Sequence, residues 1–227
     1  MILGVKRSTC SNAVYAEIGR FPLYIRHKVR IINYWLRITQ LKEQSLVKKS
    51  YMMLKELDAC GFNNWVSSVK SILIDCNAVE YFDKEELDSL DINLCINTVK
   101  ESLYDRFQTD CMNSLKDYPV LRSFILFKND FRLENYLLCV RDFKIRKCIA
   151  QFRLSSHNLA IETGRHVKPK LPVELRLCKL CNLNVLEDEC HHLLVCPRFL
   201  DQRIKLLCSI ISIDEKILEG DVHTVFK

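Results

Sequence analysis

Glycine and proline are scarce in this chain of 227 residues, with five of each, too few to punctuate the many tight turns that a sandwich or barrel of short strands needs. No run approaches the roughly 18 consecutive apolar residues of a membrane span. The N-terminus, Met1 to Val5 followed by Lys6 and Arg7, has no apolar segment of the length a secretory signal requires. Also missing are a Gly-rich phosphate loop, a G-x-S-x-G elbow and an H-E-x-x-H pair. These absences lead to the expectation of a soluble, intracellular protein, cytoplasmic or nuclear, that is not an enzyme and engages neither a membrane nor a small-molecule substrate.

What the chain does have is apolar content, 48% of its residues, recurring at helical spacing through most of its length. An all-α fold is expected: a multi-helix array, then a small zinc-knuckle-like module, then a C-terminal helix. The first helix is read over 11 to 18, with Gly19 as its stop, and Pro22 opens a long one to Gln44. Further helices are read over 45 to 59, Trp65 to Asp75, Leu90 to Leu115 and Arg141 to Ser155, with a short one near Tyr136. A last helix runs from His191 to Ile213, interrupted at Pro197. The corresponding domain plan is a helical body over 1–155, a basic connecting loop acting as a hinge over 156–172, a metal module with its helix over 173–213, and a tail over 214–227.

Twelve cysteines would suggest disulfides in a secreted protein, but in a reducing compartment they serve as small hydrophobes and metal ligands. Eight sit singly and read as core or surface residues. The other four cluster near the end. Cys178-Lys-Leu-Cys181 is followed by nine residues, His191, four more residues and Cys196, a C-x2-C-x9-H-x4-C array. Three thiolates and an imidazole make a complete tetrahedral Zn2+ set, and four protein ligands leave no open position, so one structural zinc is expected. Cys190 and His192 flank His191: Cys190 is an alternative ligand, and His192 pairs with Cys196 at i,i+4 on one helical face. Paired carboxylates in Glu187-Asp188-Glu189 lie inside the metal loop and are read as solvated groups or as supports for the ligands.

The net charge of +6 is unevenly placed. Residues 1–50 carry ten Lys/Arg against two acids, whereas 51–100 carry four against nine. From Arg141 to Arg176 there are nine Lys/Arg against Asp142, Glu162 and Glu174, leading straight into the metal array. That adjacency suggests a phosphate-facing surface in which Arg146, Lys147, Arg153, Arg165, Lys168 and Lys170 contact the backbone of RNA or DNA. His157 and His166, in the same loop, are candidate contacts to a phosphate or a base edge. The competing expectation is a helical scaffold or protein-interaction module whose zinc serves folding only, since the basic loop lacks interleaved aromatics for base stacking.

Read as one block, Gln151-Phe-Arg-Leu-Ser-Ser-His-Asn-Leu-Ala-Ile-Glu-Thr-Gly-Arg-His166, Arg176-Leu-Cys-Lys-Leu-Cys181 and Glu187-Asp-Glu-Cys-His-His-Leu-Leu-Val-Cys-Pro197 resemble the C-terminal tail of reverse transcriptases from non-LTR (LINE-like) retrotransposons. That tail reads R-L-S-x-H-x-L-x-I-E-x-G-R, then C-x2-C, then E-D-E-x-H-F-L-x-x-C-P. Upstream, Glu17-Ile-Gly-Arg-Phe-Pro-Leu-Tyr24 and Ile31-Ile-Asn-Tyr-Trp35 look like the segment between polymerase and tail, so the resemblance covers nearly the whole chain. It implies His191 and Cys196 as ligands, with His192 at the family's usual Phe position, and a region that binds template RNA or target DNA. The family's polymerase needs the aspartate pair of an F/Y-x-D-D motif, and no Asp-Asp dipeptide occurs here. The chain thus looks like the post-polymerase part alone, without catalytic residues.

Overall fold

The computed structural model describes residues 3–84 and 86–212, and all its regular elements are helical. In chain order they are α1 (Ser11–Ile18), α2 (Leu23–Thr39), α3 (Leu46–Ala59), α4 (Trp65–Asp75), α5 (Glu80–Asp83), α6 (Ser89–Lys116), α7 (Phe124–Phe127), α8 (Tyr136–Cys139), α9 (Phe143–Arg153), α10 (Ala160–Thr163) and α11 (Leu200–Ile211), with short 3₁₀ turns between some of them. Among the described residues the only β pairing is one isolated antiparallel bridge, Leu177 with Leu186. No described helix is long and apolar enough to cross a membrane.

Two compact units form, one from Arg20–Cys111, the other from Met1–Gly19 together with Met112–Lys227. This division differs from the expected cut at 155. The segment 156–172 is not a hinge: it contains α10, and Leu159 and Ile161 are buried within the second unit, so it is held by the same apolar packing as its neighbours. The expected tail and Ile213 lie outside the described residues.

In the Arg20–Cys111 unit, Ile25, Val29, Ile32, Trp35, Leu36 and Ile38 line the buried face of α2 at helical spacing and pack against α3, α4 and the first turns of α6. Trp35 stacks on Phe82 with ring centroids 6.0 Å apart and donates its indole N–H to the Tyr51 hydroxyl at 3.1 Å, which satisfies a polar atom inside the core. The helix ends at Thr39 rather than Gln44, because the apolar repeat stops at Ile38. Thr39 Oγ1 turns back to the Leu36 carbonyl at 2.7 Å, and Lys48 Nζ takes the Thr39 carbonyl at 2.9 Å. Helix α4 starts with a reciprocal cap: Asn64 Oδ1 accepts from the Val66 N–H at 2.7 Å, and Ser67 Oγ accepts from the Asn64 N–H at 2.9 Å.

In the other unit, α1 ends at Gly19 with φ 56°, where a Cβ would stand 2.4 Å from the Leu133 backbone nitrogen, so only glycine closes this turn. Behind it lies a buried ionic cluster. Glu17 is fully buried and takes Arg153 Nε at 2.6 Å, and the same guanidinium reaches Glu134 at 2.9 Å. Glu134 also holds Lys128, whose ammonium is fully buried, at 2.5 Å. Arg153 lies about 6 Å from the rings of Phe124, Phe127 and Tyr136. Burial beside Glu17 pushes the Tyr136 hydroxyl's pKa up.

Asn64→Ala removes both the α4 cap and the Asn64 amide's bond to the Leu54 carbonyl at 2.9 Å. We expect a loss of about 1–2 kcal/mol, read from Trp fluorescence in a urea titration as a lower midpoint at unchanged slope.

Candidate metal centre

Residues 176–187 form a tight loop closed by backbone bonds on both sides of the Leu177–Leu186 bridge: Cys178 N–H to the Val185 carbonyl at 2.9 Å and Glu187 N–H to the Arg176 carbonyl at 3.0 Å. At its turn the Leu180 N–H points at Cys178 Sγ, 3.4 Å away, the arrangement that presents two sulfurs four positions apart to one point. The opposite side of the point comes from His191–Val195, which winds as one π turn with an i→i+5 bond from the Cys196 N–H to the His191 carbonyl at 2.7 Å. On an α-helix five residues span about 140° beyond a full turn, which would splay His191 and Cys196 apart. The wider π turn brings the fifth residue back over the first.

The result is one cluster of Cys178, Cys181, His191 and Cys196, their ligand atoms all within 4.8 Å of one another. Cys178 Sγ lies 4.0 Å from Cys196 Sγ, and Cys181 Sγ lies 3.5 Å from His191 Nε2. Three of the four are buried, and these four residues can hold a metal ion. Burial pushes the Cys178 thiol above its ordinary pKa, a cost that a cation at the centre would reverse. Neither alternative ligand takes part. Cys190 is exposed, and His192 is packed between Phe199 at 4.5 Å and Phe152 at 6.5 Å, where burial lowers its pKa.

Every residue of the preceding acidic triplet has a partner. Asp188 Oδ1 accepts the His191 N–H at 2.7 Å and so starts the π turn. Glu187 accepts the Ala160 N–H at 2.8 Å through its side chain and the Ile161 N–H at 3.1 Å through its carbonyl, fixing the first turn of α10. Glu189 is buried and receives Arg122 at 2.6 Å, His157 at 2.8 Å and Ser155 Oγ at 3.3 Å. Burial opposes its ionisation, but the His157 hydrogen bond and the Arg122 charge outweigh that and hold its pKa at about 2. Arg122 also binds Glu162 at 3.1 Å, and Arg165 approaches the other Glu162 oxygen at 3.2 Å. Arg176 is buried too. Its guanidinium donates to the Leu171 carbonyl twice and to the Ile161 carbonyl at 2.8 Å, and it packs on Gly164, where a Cβ would stand 2.7 Å from its stem. From the C-terminal side, Arg203 of α11 clasps the Leu193 and Cys196 carbonyls at 3.0 and 2.7 Å.

This pattern redistributes the expected nucleic-acid contacts. Arg153, His157 and Arg165 are turned inward onto Glu17 and Glu134, Glu189, and Glu162 respectively, and are structural because a carboxylate already neutralises each one or, for His157, binds its ring. Arg146 and Lys147 are half-buried on α9, with Arg146 bonded to the Val140 carbonyl at 3.2 Å. His166, Lys168 and Lys170 are exposed, as are Arg141 and Lys144. Arg122 and Arg203 carry no sequence signal, since neither stands in a motif or at a distinctive spacing; Asp188, an N-cap residue type three positions before His191, does.

Glu189→Gln leaves Arg122 short of a buried charge partner, and we expect about 3 kcal/mol of destabilisation at pH 7. With a folded pKa of about 2 against an ordinary 4.5, the carboxylate's contribution is full above pH 4.5 and fades as pH falls toward 2. The gap between wild type and variant in thermal melts should therefore close across that window. Against models of protein families, curated proteins and solved structures, the chain finds no match.

Proposed function

We propose that this chain is a non-catalytic, zinc-stabilised nucleic-acid-binding module, the post-polymerase part of a reverse transcriptase of the non-LTR retrotransposon kind that its motifs resemble. A zinc ion with bonds of about 2.3 Å to sulfur and about 2.0 Å to nitrogen needs sulfurs about 3.8 Å apart and sulfur–nitrogen spacings of about 3.5 Å. The distances of 4.0 and 3.5 Å accommodate it. With Cys178, Cys181, His191 and Cys196 all engaged, no coordination position is left for water or substrate, so the ion organises the fold rather than a reaction.

The observation that carries the binding reading is what remains after the internal ion pairs are subtracted. Lys144, Lys168 and Lys170 are exposed, and among the described residues no carboxylate pairs with them, in the same unit as the metal cluster. Such cations bind phosphate by releasing counterions, so affinity falls steeply with salt and discriminates little between sequences. A second reading, a protein-interaction scaffold, draws on a different observation: Leu200, Ile204 and Leu207 stand 52%, 50% and 42% exposed along one side of α11.

Metal analysis of purified protein should return one zinc per chain. Zinc sites of this kind contribute on the order of 10–16 kcal/mol in small peptides. Chelation or Cys178→Ser should therefore abolish hydrogen-exchange protection over 176–200 while the Arg20–Cys111 unit keeps its own. Charge reversal of Lys144, Lys168 and Lys170 should weaken binding to single-stranded RNA and duplex DNA at least tenfold at low salt and leave the thermal melt in place. Unchanged affinity in that variant favours the scaffold.

A further inference from the structure

The metal-bearing unit contains a cavity of about 130 Å³ that none of the interactions above uses. Its floor is apolar: Val120, Leu121 and Leu154, the latter two buried. Its rim is polar and wet. Lys6 and His166 are exposed, Tyr118 stands 47% exposed beside the opening, and Thr9 lines the wall. A cavity of roughly 150 Å³ holds one benzene ring, so this one admits a single six-membered ring and is too small for a fused bicycle.

The charge around it is asymmetric. Arg122 and Arg165 are balanced by Glu162 and Glu189. Lys6 is not balanced: its ammonium donates to two neutral acceptors, the His157 carbonyl and Asn158 Oδ1, both at 2.9 Å. An ammonium has three donors, so one N–H and the whole positive charge are left at the mouth of the cavity. A flat ring inside with an anion at the lip is the shape of a nucleotide whose base has left its stack, the form in which proteins read single strands.

Resting on the nucleic-acid reading above, we propose that this cavity receives one unpaired pyrimidine of a bound strand. The ring lies on Val120, Leu121 and Leu154 next to Tyr118, and the adjoining phosphate meets Lys6. The site supplies base contact within the fold, away from the aromatic-poor basic loop, and it disfavours purines by size.

The test uses the full chain with fluorescein-labelled (dT)12 and (dA)12 at one low salt concentration. Base–aromatic contact of this kind is worth about tenfold or more in affinity, so (dT)12 should bind about tenfold tighter than (dA)12. Thr9→Phe, which fills the cavity from its wall, should bring that ratio to about one. A (dT)12 carrying one 5-iodouracil should crosslink to Tyr118 in the wild-type chain, a readout that needs no variant to fold. Equal binding of the two strands, or crosslinks confined to other residues, overturns the pocket and leaves the electrostatic reading standing. Failure of both strands to bind overturns both.

Discussion

Glu187, Asp188 and Glu189 stand where water cannot solvate them freely, and each is satisfied by a different part of the second unit. Glu189 meets Arg122 and His157, Glu187 meets the first turn of α10, and Asp188 meets the turn that carries His191. A buried carboxylate without such partners costs several kcal/mol, so three in succession dictate where the surrounding chain must go. The metal cluster depends on that arrangement. Its loop is positioned from one side by Arg176 and Glu187, its π turn is started by Asp188 and clasped by Arg203. The four ligands thus approach one point before any ion contributes.

The same accounting changes the meaning of the basic stretch. Counted along the chain, the residues from Arg141 to Arg176 form one cationic run; in three dimensions they separate into two populations. Arg153, Arg165 and Arg176 are internal, neutralised by carboxylates or spent on backbone carbonyls, and their long stems add apolar packing. Lys144, Lys168 and Lys170 face solvent. Arginine sits where several fixed acceptors must be met at once, and lysine where a hydrated point charge suffices, in keeping with the geometry of the two side chains.

The helical plan was legible because its cause is local. Apolar spacing placed α4 at Trp65–Asp75 and α1 at Ser11–Ile18, and a φ > 0 position marked the end of α1 at Gly19. The metal ligands were legible from spacing, but the choice between His191 and His192 was not. An α-helical turn favours His192 with Cys196, and the bond pattern that selects His191 is a π turn that no propensity encodes. Ion-pair partners far apart in sequence, Glu17 with Arg153 or Arg122 with Glu189, were beyond reach for the same reason that the domain cut at 155 was: composition changes near 156, whereas contacts do not.

Gly164 and Arg176 together bear on how much of the chain is needed to make the metal module. The Arg176 side chain occupies the space a Cβ at Gly164 would take, and its hydrogen bonds end on Leu171 and Ile161. A fragment beginning at 173 would therefore carry an unpartnered guanidinium, and Glu187 and Glu189 would lose α10, His157 and Arg122 as well. The smallest piece expected to fold is discontinuous in sequence: residues 3–19, which supply Glu17 and Lys6, joined to 112–212. Excising the Arg20–Cys111 segment and bridging its ends keeps more of the metal site's support than any truncation that leaves the C-terminal motif by itself.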